Sequence, residues 1–167
     1  EQQGSVMARF AYSDLGSRRA AVMFDRADPY SSGISEVFST TYLDLGGTVS
    51  HHSFTPDSVN YTTIFSQIKK ASPDILYLPG FTVDVIQHVK LARAHGLDVR
   101  LLGADGWNAH DFSRNPDFND SYMTSHWIVN DDSSDTKKFV SRYQALFGTT
   151  PGAVAALTYD ALNILFS

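Results

Sequence analysis

Short apolar runs alternate along this chain with amphipathic stretches, and that rhythm restricts it to a parallel sheet whose strands are joined by helices. Runs such as Ala20-Ala21-Val22-Met23-Phe24 and Ile75-Leu76-Tyr77-Leu78 have no polar side to show to water, so each predicts a strand buried on both faces. Thr48 to Phe54 and Val99 to Leu102 supply further strands. Between them, Ile34, Val37, Phe38 and Tyr42 recur at helical spacing before Gly46-Gly47, and Ile64, Phe65 and Ile68 mark a helix that Pro73 stops. Val85, Ile86, Val89 and Ala92 predict one face of a helix ending at Gly96, and Val6, Met7, Phe10 and Ala11 a short helical stripe before the first strand. After Gly103 the rhythm loosens. Asn108 to Asp120 reads as polar and turn-rich, Met123 to Val129 as a strand, and Asn130 to Asp135 as a loop leading to a helix that carries Phe139, Val140, Tyr143 and Phe147. Val154 to Phe166 predicts a last helix, apolar on more than one side and therefore in need of neighbours. The fold class is α/β, a doubly wound parallel sheet.

Several kinds of chemistry are excluded. With 13 Lys and Arg against 18 Asp and Glu, a net charge of -5 and no dense basic run, the chain is unsuited to duplex nucleic acid. The absence of cysteine removes disulfides, zinc ribbons and thiol catalysis. No apolar run approaches the ~18 residues needed to span a bilayer. His51 and His52 are adjacent in a predicted strand and point to opposite faces, so they cannot chelate together. Asp84, His88 and His95 share a helix face that reads as a solvated stripe, and no H-E-x-x-H pattern exists. There is no G-x-G-x-x-G after the first strand, no phosphate-binding loop of the Walker kind and no G-x-S-x-G elbow. Neither an enzyme nor a metal or cofactor site is expected.

In an open α/β sheet ligands sit outside the carboxyl ends of the strands, and three loops there stand out. After the first strand, Asp25-Arg26-Ala27-Asp28-Pro29-Tyr30 places a phenol beside a helix N-terminus. After the third, Pro79-Gly80-Phe81-Thr82 turns sharply, with Thr82 placed to cap the next helix. After the fourth, Gly103-Ala104-Asp105-Gly106-Trp107 holds a carboxylate and an indole between glycines. A ring, a phenol and a carboxylate meeting at one edge suit a small ligand with a cationic amine and an apolar body.

The string Ala21-Val22-Met23-Phe24-Asp25, followed by Asp28-Pro29-Tyr30-Ser31-Ser32-Gly33, Gly46-Gly47, Pro73-Asp74, Gly103-Ala104-Asp105-Gly106-Trp107 and Thr158-Tyr159-Asp160-Ala161, resembles the type I periplasmic solute-binding proteins of ABC transporters, the leucine/isoleucine/valine-binding group in particular. The resemblance runs over nearly the whole chain in order. It implies two α/β lobes that close on a ligand, of which residues 1–127 would form the second and residues 128–167 a crossing segment with helices normally packed in the first. By that likeness the chain is a fragment lacking most of the first lobe, and on its own it would bind weakly.

The resemblance further implies that Tyr30 and Phe81 line the cleft, with Thr82 beside them, and that Asp105 pairs with a ligand's α-amino group. Where relatives carry Tyr, Phe81 lacks the hydroxyl. Trp107 is a companion that would join the site. The implied function is binding of an amino acid or similar small polar solute, for delivery to an ABC permease in the membrane. The implied location is periplasmic or extracellular, with the signal peptide outside this chain. The alternative use of the same fold is as a ligand-sensing domain of a regulator. The apolar last helix leads to one more expectation, a homodimer formed through it.

Overall fold

 The computed structural model describes residues 2–107, 112 and 115–166. Within the segment expected to be turn-rich, residues 108–111, 113 and 114 lie outside them. The described residues form two compact units, 2–107 with 112 and 115–124, and 125–166.

In the first unit the elements run α1 (Gln2–Arg9), β1 (Arg19–Asp25), α2 (Pro29–Asp44), β2 (Thr48–Phe54), α3 (Tyr61–Ala71), β3 (Ile75–Tyr77), α4 (Thr82–Ala94), β4 (Arg100–Gly103) and β5 (Ser121–Met123). A π-helical turn, Phe10–Asp14, extends α1. Among the described residues the strands form one sheet in the order β2-β1-β3-β4-β5, and every pairing is parallel. The α/β expectation therefore holds. Alternation along the strands divides the core into two layers. Ala20, Val22, Ile75, Tyr77 and Leu102 meet Met7, Phe38 and Tyr42 from α1 and α2 on one face. Ala21, Met23, Leu76 and Leu101 meet Phe65, Ile68, Val85 and Val89 from α3 and α4 on the other. Phe38 stacks between Tyr77, 4.3 Å away, and Tyr42, 5.4 Å away.

Three sequence expectations are corrected here. The strand expected over Met123 to Val129 is instead Ser121–Met123, because β4 ends at Gly103 opposite Met123 and offers no ladder beyond it. Beyond that point the Ser125 hydroxyl donates to the Trp127 carbonyl at 2.7 Å, closing a local turn. On α4 the buried stripe is Val85, His88, Val89 and Ala92, while Ile86 faces outward. His88 is therefore a core residue, 5% exposed, and not part of a solvated stripe.

The second unit holds α5 (Ser134–Phe147) and α6 (Ala153–Leu165). Ser133 caps α5 by accepting the Thr136 N–H at 3.3 Å, and Gly148 ends the helix in the left-handed region, at φ 69°. Phe139 is the centre of this unit, with Trp127 edge-on at 5.9 Å and Tyr159 of α6 at 4.9 Å. Val154, Ile164, Leu165 and Phe166 are exposed.

Candidate functional site

All three distinctive loops leave the carboxyl edge of the sheet in the first unit, and short-range capping decides where each side chain points. Asp28 accepts the backbone N–H of Tyr30 at 3.2 Å and of Ser31 at 3.0 Å, and Pro29 occupies the first turn, so α2 starts with Tyr30 held against its N-terminus. In the second loop Phe81, extended at φ -86° and ψ 154°, is the residue that enters α4. Thr82 lies one position too late to be the cap expected of it. Its hydroxyl and its backbone N–H each donate to the Gly106 carbonyl at 3.2 Å, which ties the second loop to the third.

Tyr30, Phe81 and Asp105 meet. The Tyr30 hydroxyl donates to the Asp105 carboxylate at 2.5 Å and accepts the Gly106 N–H at 3.0 Å. Its ring stacks on Phe81 with centroids 5.1 Å apart and planes at 25°. Gly106 makes this packing feasible, since a Cβ there would stand 2.7 Å from the Gly80 carbonyl oxygen and 3.3 Å from the Tyr30 hydroxyl. Burial raises the Tyr30 pKa well above that of an ordinary phenol. The hydrogen bond to Asp105 adds to the rise, against a smaller opposing effect of the Gly106 N–H. At neutral pH the phenol is thus a donor and the Asp105 oxygen its acceptor.

Trp107 does not join these residues. It is 4% exposed, and its indole N–H donates to the Leu78 carbonyl at 2.9 Å. The ring lies over Gly103 and among Phe112, at 5.2 Å, and Phe118, at 5.5 Å. With its one donor bound and its faces covered, it is a core side chain beneath the loop, contrary to the expectation that it lines the site.

One residue without any signal in the sequence supports the edge. Gln3, on α1, accepts the Asp105 N–H at 3.1 Å and the Thr124 hydroxyl at 2.7 Å, linking the loop after β4 to the exit from β5. Only their approach in space connects positions 102 residues apart. Tyr77, on β3, is buried, and its hydroxyl has no partner among the described residues. Burial, with smaller contributions from Tyr30 and Asp105, holds its pKa far above the usual range. No cluster of three or more His, Asp or Glu side chains suited to a metal occurs among the described residues. His51 bonds Ser39 at 2.9 Å and His52 bonds Ser50 at 3.1 Å, each committed to a different neighbour.

The family model described as periplasmic binding protein matches residues 1–167. The chain belongs to the periplasmic binding proteins. This periplasmic binding protein is 23% identical over 114 residues to the Leu/Ile/Val-binding protein BraC3 of Rhizobium johnstonii, a match covering 67% of this chain and 30% of that relative. It is 26% identical over 105 residues to the leucine-, isoleucine-, valine-, threonine- and alanine-binding protein of Pseudomonas aeruginosa, covering 62% and 28%. Among solved structures it is similar to the leucine binding protein LivK of Thermotoga maritima, with TM-score 0.88 and 30% identity, over 98% of this chain and 48% of that one. The substrate binding protein LivJ of Streptococcus pneumoniae, solved with isoleucine, superposes with TM-score 0.83 at 23% identity, over 96% and 47%. The chain therefore spans about half the length of these solved relatives and under a third of the curated ones. As expected from the residue pattern, it is a periplasmic binding protein, and it is similar to Leu/Ile/Val-binding proteins.

Proposed function

We propose that this chain forms part of the solute-binding component of an ABC transporter and that its carboxyl edge receives an amino acid. The contact between Tyr30, Phe81 and Asp105 carries the reading. The Asp105 carboxylate, oriented by the Tyr30 phenol, would receive the ligand's ammonium group, and the stacked rings would cover its apolar portion. Thr82 acts by holding the two loops together. Trp107 supports the loop from beneath. Residues 1–127 would serve as one lobe of a two-lobed binder, and residues 128–167 as the stretch that crosses to the other. Support comes from the relatives named for leucine, isoleucine and valine, and from the neighbour solved with isoleucine. A membrane permease is the corresponding partner, and the periplasm, or the cell exterior, the location.

Calorimetry with leucine, isoleucine and valine on the full-length protein tests this. A charge-assisted hydrogen bond contributes about 1.5–3 kcal/mol, so Asp105→Asn should weaken binding by roughly 10- to 150-fold. Analogues lacking the amino group should bind the wild type as poorly as the amino acids bind the variant. Unchanged affinity in Asp105→Asn would refute the assignment of the ammonium group to Asp105.

A further inference from the structure

The first unit has an open cavity of about 200 Å³ at the ends of β1, β2 and β3, lined by Phe81 but not by Tyr30 or Asp105. Three carboxylates line it, from Asp25, Asp28 and Asp84, and no Lys or Arg does. Asp28 is committed to the first turn of α2, and Asp25 accepts the Ala27 N–H at 2.8 Å. The Asp84 carboxylate, in the first turn of α4, takes no hydrogen bond or ion pair among the described residues. The walls are aromatic. Phe54, Tyr61 and Phe81 all contribute, and Phe81 is 54% exposed although one face of its ring covers Tyr30.

His88, on α4, also lines the cavity. It is 5% exposed, its Nε2 is shared with the Tyr61 hydroxyl at 3.1 Å, and Phe54 stands edge-on to the ring at 5.1 Å. Its Nδ1 takes no hydrogen bond among the described residues. Burial keeps the ring neutral at pH 7, with its pKa lowered to about 4, so it does not cancel the carboxylates. A chamber with three negative charges, no counter-cation and π faces on several sides favours a positive charge attached to an apolar body. A bare metal ion fits it poorly, because no three ligating side chains converge among the described residues.

We propose that this cavity is a binding site for a small organic ammonium compound, held by Asp84 and Asp25 and packed against Phe54, Tyr61 and Phe81. The site is separate from the one assigned to an amino acid and does not depend on that reading. The two share only the Phe81 ring as a wall.

Benzylammonium is a suitable probe, with benzyl alcohol as a neutral compound of the same shape, each titrated into the full-length protein by calorimetry and by amide NMR. Saturable benzylammonium binding is expected, with shifts centred on Tyr61, Val85 and His88 and none of comparable affinity for benzyl alcohol. The pair Asp25→Asn and Asp84→Asn keeps shape and the acceptor for Ala27, and should weaken binding on the order of tenfold. An unchanged melting temperature of that double variant ties the loss to charge. The proposal is overturned if benzylammonium does not saturate, if benzyl alcohol binds equally well, or if the double variant binds as the wild type does. Shifts confined to Tyr30 and Asp105, with binding abolished by Asp105→Asn alone, would also overturn it while leaving the amino-acid reading intact.

Discussion

Replacing Tyr30 with Phe removes a single oxygen and keeps the ring that stacks on Phe81, so it isolates the polar half of the candidate site. That oxygen makes two bonds, donating to Asp105 at 2.5 Å and accepting from the Gly106 N–H at 3.0 Å. A hydrogen bond to a charged group contributes about 1.5–3 kcal/mol net, and a neutral one about 0.5–1.5 kcal/mol. Tyr30 is only half-buried, so water replaces part of both interactions, and the expected loss is about 1–2 kcal/mol, roughly a 5- to 30-fold change in the unfolding equilibrium. Urea unfolding followed by indole fluorescence measures it. In a Trp127→Phe background the remaining indole, Trp107, lies in the core of the first unit and reports that unit alone. Combining Tyr30→Phe with Asp105→Asn completes a double-mutant cycle whose coupling should be about 1 kcal/mol. A coupling below about 0.3 kcal/mol, the level at which independent sites add, would show that the two side chains do not orient each other. The alkaline side gives a second test. A phenol whose pKa is raised on folding supplies stability that is complete below about pH 10 and is lost as the pH climbs above it, so Tyr30→Phe should flatten that limb.

The acid side depends on His88, whose folded pKa is lowered to about 4. Its stabilising effect is complete above the unfolded value of about 6.5 and is lost as pH falls to about 4, which amounts to about 3 kcal/mol. His88→Gln should remove most of that dependence in urea titrations, and parallel curves for variant and wild type from pH 7 to about 4.5 would sink the idea. Trp107→Phe should cost about 1–3 kcal/mol of stability through the lost indole volume and its hydrogen bond to the Leu78 carbonyl, which keeps the Gly80 N–H at 3.0 Å, while amino-acid affinity stays within about threefold; lost affinity at unchanged stability would place the indole in the binding site instead. Gly4→Ala puts a Cβ 2.7 Å from the Ile34 carbonyl oxygen and 2.9 Å from the Phe38 nitrogen, so α1 must move off α2. A loss of about 1–3 kcal/mol is expected in thermal or urea unfolding, and a variant as stable as wild type would show that the two helices separate freely.

The parts of the fold legible in the sequence are those whose partner is the strand's own ladder. Thr48–Phe54 runs over the residues its β-rich composition marks because all seven pair with Arg19–Asp25. β5 lies before the run that its composition suggests because its extent depends on where β4 stops, and nothing in Met123 to Val129 reveals that Gly103 is the last residue available to pair. On α4 the apolar residues Val85, Ile86, Val89 and Ala92 suggest one stripe, yet His88 takes the inward position since Phe54 and the Tyr61 hydroxyl are there to receive it. An amphipathic pattern shows that a face is buried but not which polar residue finds a partner within it.

The same dependence on partners governs the edge loops. Asp105 and Trp107 are separated by one glycine, and sequence alone treats them as companions. Space separates them. Gly106 lets the Gly80 carbonyl come so close that the turn is forced tight, sending Asp105 toward the Tyr30 phenol and Trp107 down over Gly103. The Leu78 carbonyl then fixes the indole, and Gln3 fixes the backbone at Asp105. A larger residue at position 106 would push the loops after β3 and β4 apart, and with them Phe81 and Asp105. Gly106→Ala should therefore weaken amino-acid binding even though it alters no group that touches the ligand. An affinity equal to wild type in that variant, measured by calorimetry with leucine, would mean that the two loops need not approach this closely for the site to form.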